Sequence, residues 1–211
     1  ACLAATIAWS SLRPEMPAWH NFHNLVMPYP EQMWFRFKQK LIDKFVVSSA
    51  AGFVAVSSAC MSTLDLRCRL KKARRKFIYN GVEPPKIEQT TSLVAELGLS
   101  PGTPIVLMLA VYESRKGHDF IIRAMECVNR EVPSAVLVIC GDGTTEEFER
   151  VKFLQETSSV SKHIFLEKHR SDVGKMLVDA TLLVLPSQRN ESFGYAVLEA
   201  MACACPVVVT D

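Results

Sequence analysis

Short, almost continuously apolar runs recur through the second half of this 211-residue chain: IVLMLAV at 105–111, AVLVIC at 135–140, HIFL at 163–166, TLLVLP at 181–186 and PVVVT at 206–210. A run this short and this apolar suits a strand buried on both faces, because a strand with one wet face alternates polar and apolar residues. Between the runs lie stretches of helical periodicity, from about Gly117 to Arg130, from about Glu146 to Thr157, and a shorter turn near 172–179. Strand and helix in alternation predict a doubly wound α/β domain with a parallel sheet covered on both sides. Ligands of such sheets bind outside the carboxyl ends of the strands, so Lys116, Gly141 and Glu191, each following an expected strand end, are expected to face one crevice.

Two carboxylates sharpen that expectation. Glu191 and Glu199 are separated by seven residues in LPSQRNESFGYAVLEAMACACPVVVTD. A helix starting near Phe193 places Phe193, Val197, Ala200, Met201 and Ala204 on one apolar stripe and turns Glu199 to the opposite face. Glu191 precedes that helix, where backbone N–H groups lack intrahelical partners and favour an anion. At 1.5 Å per residue the two carboxylates stand roughly 12 Å apart, a spacing that suits the two ends of one polyhydroxylated ligand.

This segment, with its paired glutamates, its EAMA run and its following PVV, resembles the signature of the group 1 glycosyltransferases, family 4 of the retaining enzymes. Other stretches resemble the same family in the same order. FVAVSSACMSTL at 53–64 is similar to its last acceptor-domain strand and following helix, and FIYNGVEPPK at 77–86 to its interdomain linker. VYESRKGHDFIIRAM at 111–125 resembles the Lys-Gly loop that opens the nucleotide-binding domain, and AVLVICGDG at 135–143 a buried strand ending in a Gly-Asp-Gly turn.

The resemblance implies a GT-B-like architecture: a Rossmann-like parallel-sheet domain at 83–211 that binds a nucleotide sugar, preceded at 1–82 by the C-terminal part of a second, acceptor-binding Rossmann-like domain. Family members begin with further βα units and continue past the PVVVTD stretch, so the expectation is an internal slice of a longer protein. The implied activity is transfer of a hexose from a nucleoside diphosphate sugar to a glycan or lipid-linked acceptor, with retention. Glu191 is implied to contact the donor sugar, Glu199 the ribose hydroxyls, and the amides of Ser192, Phe193 and Gly194 the sugar or phosphate. From the first domain a histidine after a strand is implied. WHNFHN offers His20 and His23, and His23 is preferred because it opens the loop HNLVMPYP.

No cofactor is expected. Charge developing on the departing diphosphate needs a cation or a metal, and the Asp-x-Asp triplet of metal-using glycosyltransferases does not occur in the sequence. Arg115 and Lys116, beside Gly117 at a helix start, are assigned that charge. Two departures stand out: Ala110 and Val111 occupy the neighbourhood where the family carries a further arginine, and Ala204 occupies a helix end where the family carries glycine. If that position needs a positive φ, its β-carbon is crowded. An alternative reading is a non-catalytic, truncated remnant that retains nucleotide binding but lacks enough of the acceptor domain to turn over.

Apolar residues at 49% and charged residues at 22% exclude a disordered chain and accord with a cytoplasmic globular protein. No apolar stretch reaches the roughly 18 residues of a membrane span, and ACLAATIAW reads as the tail of a helix. Seven scattered cysteines without a CxxC pair argue for reduced core thiols. Net charge is only +2, yet WFRFKQK at 34–40, within a helix from about Gln32 to Lys44, and RCRLKKARRK at 67–76 are locally basic. Such faces suit peripheral contact with an anionic membrane or simply solvent, and a membrane-surface module is the third reading. No nucleic-acid motif accompanies them, so a nucleic-acid partner is not expected.

Overall fold

The computed structural model describes residues 8–13, 15–84, 92–189 and 191–210. Most of ACLAATIAW, Cys2 with it, and the end of FIYNGVEPPK lie outside the described residues. Two compact units emerge: one of residues up to Asn80 together with 191–193, the other of Gly81–Arg189 and Gly194 onward.

The first unit carries β1 (Trp19–Phe22), α1 (Met33–Ser49), β2 (Gly52–Ala55), α2 (Ser58–Thr63), α3 (Cys68–Lys71) and β3 (Arg75–Phe77). Its three strands pair in parallel in the order β1-β2-β3. Helix α1 runs five residues past its expected end at Lys44, because Val46 and the half-buried Val47 continue its inner face onto a core of Val26, Phe53, Leu64 and Leu70. The basic run at 67–76 is partly structural. Arg67 forms an ion pair with the buried Asp43 at 3.1 Å and donates to the Met27 carbonyl, Arg75 pairs with Asp65 at 2.7 Å, and Arg74 lies over the Trp19 ring. A buried carboxylate left without its arginine is costly, so Arg67 serves the fold.

The second unit carries α4 (Leu93–Glu96), β4 (Ile105–Leu109), α5 (His118–Glu131), β5 (Val136–Gly141), α6 (Thr145–Thr157), β6 (Ile164–Lys168), α7 (Val173–Asp179), β7 (Leu182–Leu185), α8 (Tyr195–Ala202) and β8 (Val207–Val209). The five strands are parallel throughout, in the order β6-β5-β4-β7-β8. Alternate residues of each strand feed opposite faces. Ile105, Leu107, Val136, Val138, Leu183 and Leu185 join one core cluster, and Val106, Met108, Leu137, Ile139 and Val184 join the other. Burial on both faces is why the strands read as unbroken apolar runs. Helix α5 seals the second cluster with Ile121, Ile122 and Met125, and Thr144 caps α6 by accepting from the Glu147 amide.

Among the six cysteines of the described residues, all free, Cys60, Cys140 and Cys205 are buried as core thiols. Cys68 and Cys127 depart from that expectation and are exposed on helices.

Candidate active site

In the strand order β6-β5-β4-β7-β8, succession runs outward from β4 through β5 to β6 on one side and from β7 to β8 on the other. The switch in direction lies between β4 and β7. At such a point the connections leave toward opposite faces and open a crevice above the strand ends. The loops beside this crevice are those after β4, with Arg115, Lys116 and Gly117, and after β7, leading to Glu191.

These two loops interlock. The Gln188 amide donates to the Arg115 carbonyl at 2.8 Å. Gly117 sits at φ 78°, and a β-carbon there would lie 2.1 Å from the Pro186 carbonyl oxygen, so no other residue fits without moving the loop. The loop after β4 is also anchored from below by Tyr112. Its ring is buried, its hydroxyl reaches the Glu167 carbonyl at 2.8 Å, its amide donates to the Asp142 carbonyl, and His118 stacks on it at 5.3 Å between ring centroids. Neither Tyr112 nor His118 is singled out by sequence pattern. A tyrosine and a histidine beside a Lys-Gly pair read as loop residues until the packing is seen.

His118 is fully buried. Burial first, and the nearby Arg150 charge second, push its pKa down to about 4, so the ring is neutral at physiological pH. Arg115 is half-buried, and its Nε lies 2.6 Å from Glu113. Lys116 and Gly117 complete the loop, Lys116 half-buried and Gly117 closing the 3₁₀ turn Ser114–Lys116.

Helix α8 differs from its expected form. It begins at Tyr195, with Gly194 as its N-cap at φ 79°. The left-handed residue breaks the periodicity, so Ser192 and Phe193 precede the helix and their amides are not part of its first turn. Phe193 is not on the helical stripe. It packs against Ala55, Val56 and Cys60 of the first unit, where the Ser57 hydroxyl donates to the Ser192 carbonyl at 2.7 Å. Ala196, Val197 and Ala200 form the core side of α8, and Met201 is 61% exposed. Relative to that side Glu199 stands roughly 110° round the helix, a flank and not the opposite face. It is accordingly half-buried, and burial raises its carboxyl pKa above the ordinary range.

Ala204 has φ 55°, the positive-φ backbone that the sequence pattern brought into question. It occupies the C′ position of a Schellman motif: the Cys205 amide donates to the Ala200 carbonyl and the Ala204 amide to the Met201 carbonyl. Helix α4 ends in the same motif with Gly98 at C′, at φ 64°.

In the first unit, His23 follows β1 directly and is exposed, with Glu191 half-buried in the 191–193 segment. His20 makes T-shaped ring contacts with Phe22 and Phe53, and burial lowers its pKa, as befits a packing residue. Thus Arg115, Lys116, Gly117, Gly194 and Glu199 belong to the second unit, and His23, Glu191, Ser192 and Phe193 group with the first.

A sequence model described as glycosyl transferases group 1 matches residues 89–211. A phosphatidyl-myo-inositol mannosyltransferase from Propionibacterium freudenreichii subsp. shermanii is 29% identical over 206 residues, covering 93% of this chain and 47% of the relative. An alpha-maltose-1-phosphate synthase from Mycobacterium tuberculosis is 29% identical over 81% of this chain and 46% of its own. The chain thus spans about half the length of these curated relatives. Among solved structures, HepE from Anabaena in complex with UDP and glucose superimposes with a TM-score of 0.81 at 19% identity, covering 98% of this chain and 56% of that one. Sucrose-phosphate synthase from Thermosynechococcus elongatus follows the same fold with a TM-score of 0.75 at 22% identity, over 98% and 54%.

Proposed function

This chain belongs to the group 1 glycosyltransferases, and from that premise we propose that it serves a retaining transfer of a sugar from a nucleoside diphosphate sugar to a glycan or lipid-linked acceptor. The observation that carries the reading is the crevice between β4 and β7, flanked by a cationic Lys-Gly loop and a carboxylate-bearing segment. The UDP and glucose held by HepE support a nucleoside diphosphate donor, and the name of the mannosyltransferase relative supports a lipid-linked acceptor.

In this reading the bond between the anomeric carbon and the diphosphate oxygen breaks, a bond to the acceptor oxygen forms on the same face, and the acceptor hydroxyl's proton passes to the departing diphosphate. Lys116 and Arg115 take the negative charge that accumulates on the departing diphosphate. Gly117 lets the loop backbone approach, and the amides of Ser192, Phe193 and Gly194 face the sugar or phosphate. Glu191 accepts from donor-sugar hydroxyls and the half-buried Glu199 from the ribose, since a carboxylate can accept from two adjacent hydroxyls. His23 orients the acceptor hydroxyl from the first unit. The cationic role falls to side chains, so a metal is not required. The test is turnover of the full-length enzyme: Lys116→Ala should lower kcat by about 100-fold or more, and a chelator should leave the wild type unchanged. Activity lost in chelator and restored by magnesium would overturn the metal-independent assignment.

Among the described residues no helix is long and apolar enough to cross a membrane. Peripheral contact is the proposed mode of meeting a lipid-linked acceptor, through α1. Trp34, Phe37, Leu41 and Phe45 recur at helical spacing on its outward side and are 72, 63, 44 and 51% exposed, with Arg36, Lys38, Lys40 and Lys44 on the same helix. A second reading, nucleotide binding without turnover, draws on Val111, which stands exposed where the family's further arginine is expected.

A further inference from the structure

The backbone that carries Glu191 is fastened to the first unit at two points, one polar and one apolar. The polar point is Ser57, a buried residue just past the end of β2. Its hydroxyl accepts from the Cys60 amide at 3.0 Å, as the N-cap of α2, and donates to the Ser192 carbonyl at 2.7 Å. A hydroxyl has one proton to give, and with a lone pair taken by the Cys60 amide that proton is directed at Ser192. The apolar point is Phe193, packed against Ala55, Val56 and Cys60.

Ser192 and Phe193 follow Glu191 directly. Consecutive Cα atoms stand about 3.8 Å apart, so holding the Ser192 carbonyl and the Phe193 ring fixes the place from which the Glu191 side chain departs. Beyond the anchor the chain turns through Gly194 at φ 79° into the second unit. The same β2–α2 turn also holds the loop of His23. The Cys60 thiol lies 3.2 Å from the Asn24 carbonyl and 3.5 Å from that of Phe22, the residues on either side of His23. Capping α2 needs only an acceptor, which an aspartate supplies as well as a serine. The bond given to Ser192 needs a donor, and the hydroxyl performs both tasks.

We propose that Ser57 is a positioning residue which, through the Ser192 carbonyl, sets the Glu191 carboxylate against the sugar of the donor. The inference rests on the donor reading given above and deepens it. Ser57 acts only through Glu191, which groups with the first unit, whereas Lys116 and Glu199 belong to the second. Loss of the Ser57 hydroxyl therefore weakens the grip on the sugar and spares the grip on the nucleotide.

The test is calorimetry on the full-length enzyme, with UDP, GDP and ADP compared against UDP-glucose, GDP-mannose and ADP-glucose. Ser57→Gly removes the hydroxyl while glycine still caps a helix at small cost, so the fold is retained, as an unmoved urea midpoint would verify. This variant should bind the sugar nucleotide about tenfold more weakly than wild type and the bare nucleotide equally well. Ser57→Thr, which keeps a hydroxyl, should restore the sugar nucleotide affinity. Glu191→Ala should show the same split between the two ligands, and adding Ser57→Gly to it should cost nothing further. If Glu191→Ala weakens the sugar nucleotide and Ser57→Gly does not, the proposal fails and the donor reading stands. Equal weakening of nucleotide and sugar nucleotide by Ser57→Gly, or losses that multiply in the double variant, would also overturn it. Unchanged sugar nucleotide affinity in Glu191→Ala, or no binding of any probe, would remove the donor reading and the proposal together.

Discussion

Two backbone and side-chain details set what single substitutions do. Ala204 and Gly98 close equivalent Schellman motifs, and only one of them is glycine. An L-residue at positive φ carries a steric cost that glycine escapes, partly offset by the greater freedom of glycine in the unfolded chain. Ala204→Gly should therefore raise unfolding stability by about 1 kcal/mol, read as a higher urea midpoint at unchanged m-value. His118 sets a pH dependence. Its pKa falls from 6.5 to about 4 on folding, so the unfolded chain binds its proton first as pH drops. Its contribution to stability is intact above about pH 6.5 and is lost progressively down to about pH 4. Denaturant titrations at pH 7.5, 5.5 and 4.5 should show that loss, on the order of 3 kcal/mol for the full proton linkage. In His118→Phe, which keeps an aromatic ring on Tyr112, the slope between these values should flatten.

Helix α1 buries one side against Phe53 and Leu64 while its outward side carries an aromatic stripe. A soluble helix gains nothing from exposed tryptophan and phenylalanine, but an interfacial one gains from both the rings and the cations. The double variant Trp34→Ala, Phe37→Ala should cosediment with anionic vesicles at least about fivefold less than wild type, with the unfolding midpoint unmoved because neither side chain is in the core. Equal retention by wild type and variant would remove α1 from the membrane reading. The basic run at 67–76 is a weaker candidate for the same task, since Arg67 and Arg75 are spent on ion pairs inside the first unit. Arg69, Lys71, Lys72 and Lys76 of that run are exposed to solvent.

For the protein as a whole, the prediction concerns the donor. Glu199 is half-buried on the flank of α8, where burial raises its pKa and a hydroxyl partner would restore the ionised form. Glu199→Ala should weaken nucleoside diphosphate binding by about 1–3 kcal/mol in calorimetry, the range for loss of a hydrogen bond to a carboxylate. Loss of affinity for the nucleoside diphosphate but not for inorganic diphosphate would place the carboxylate at the ribose. Equal affinity in wild type and variant would take Glu199 out of nucleotide binding.

Continuous apolar runs separated by amphipathic stretches were enough to read the parallel sheet of the second unit, because double-sided burial writes itself into composition one residue at a time. The strained helix end at Ala204 was legible for a similar reason, since it rests on local backbone geometry. The start of α8 was not: Gly194 in the left-handed region ends the pattern that seemed to carry Phe193 into the helix. Nor were the anchoring of the loop by Tyr112, the burial of His118 or the bond from Ser57 to Ser192. Ser57 and Ser192 lie 135 residues apart in the chain, and periodicity within one element carries no information about which side chains of distant elements meet. That meeting is set by strand order and helix packing, which bring residues far apart in sequence to the same end of the sheet.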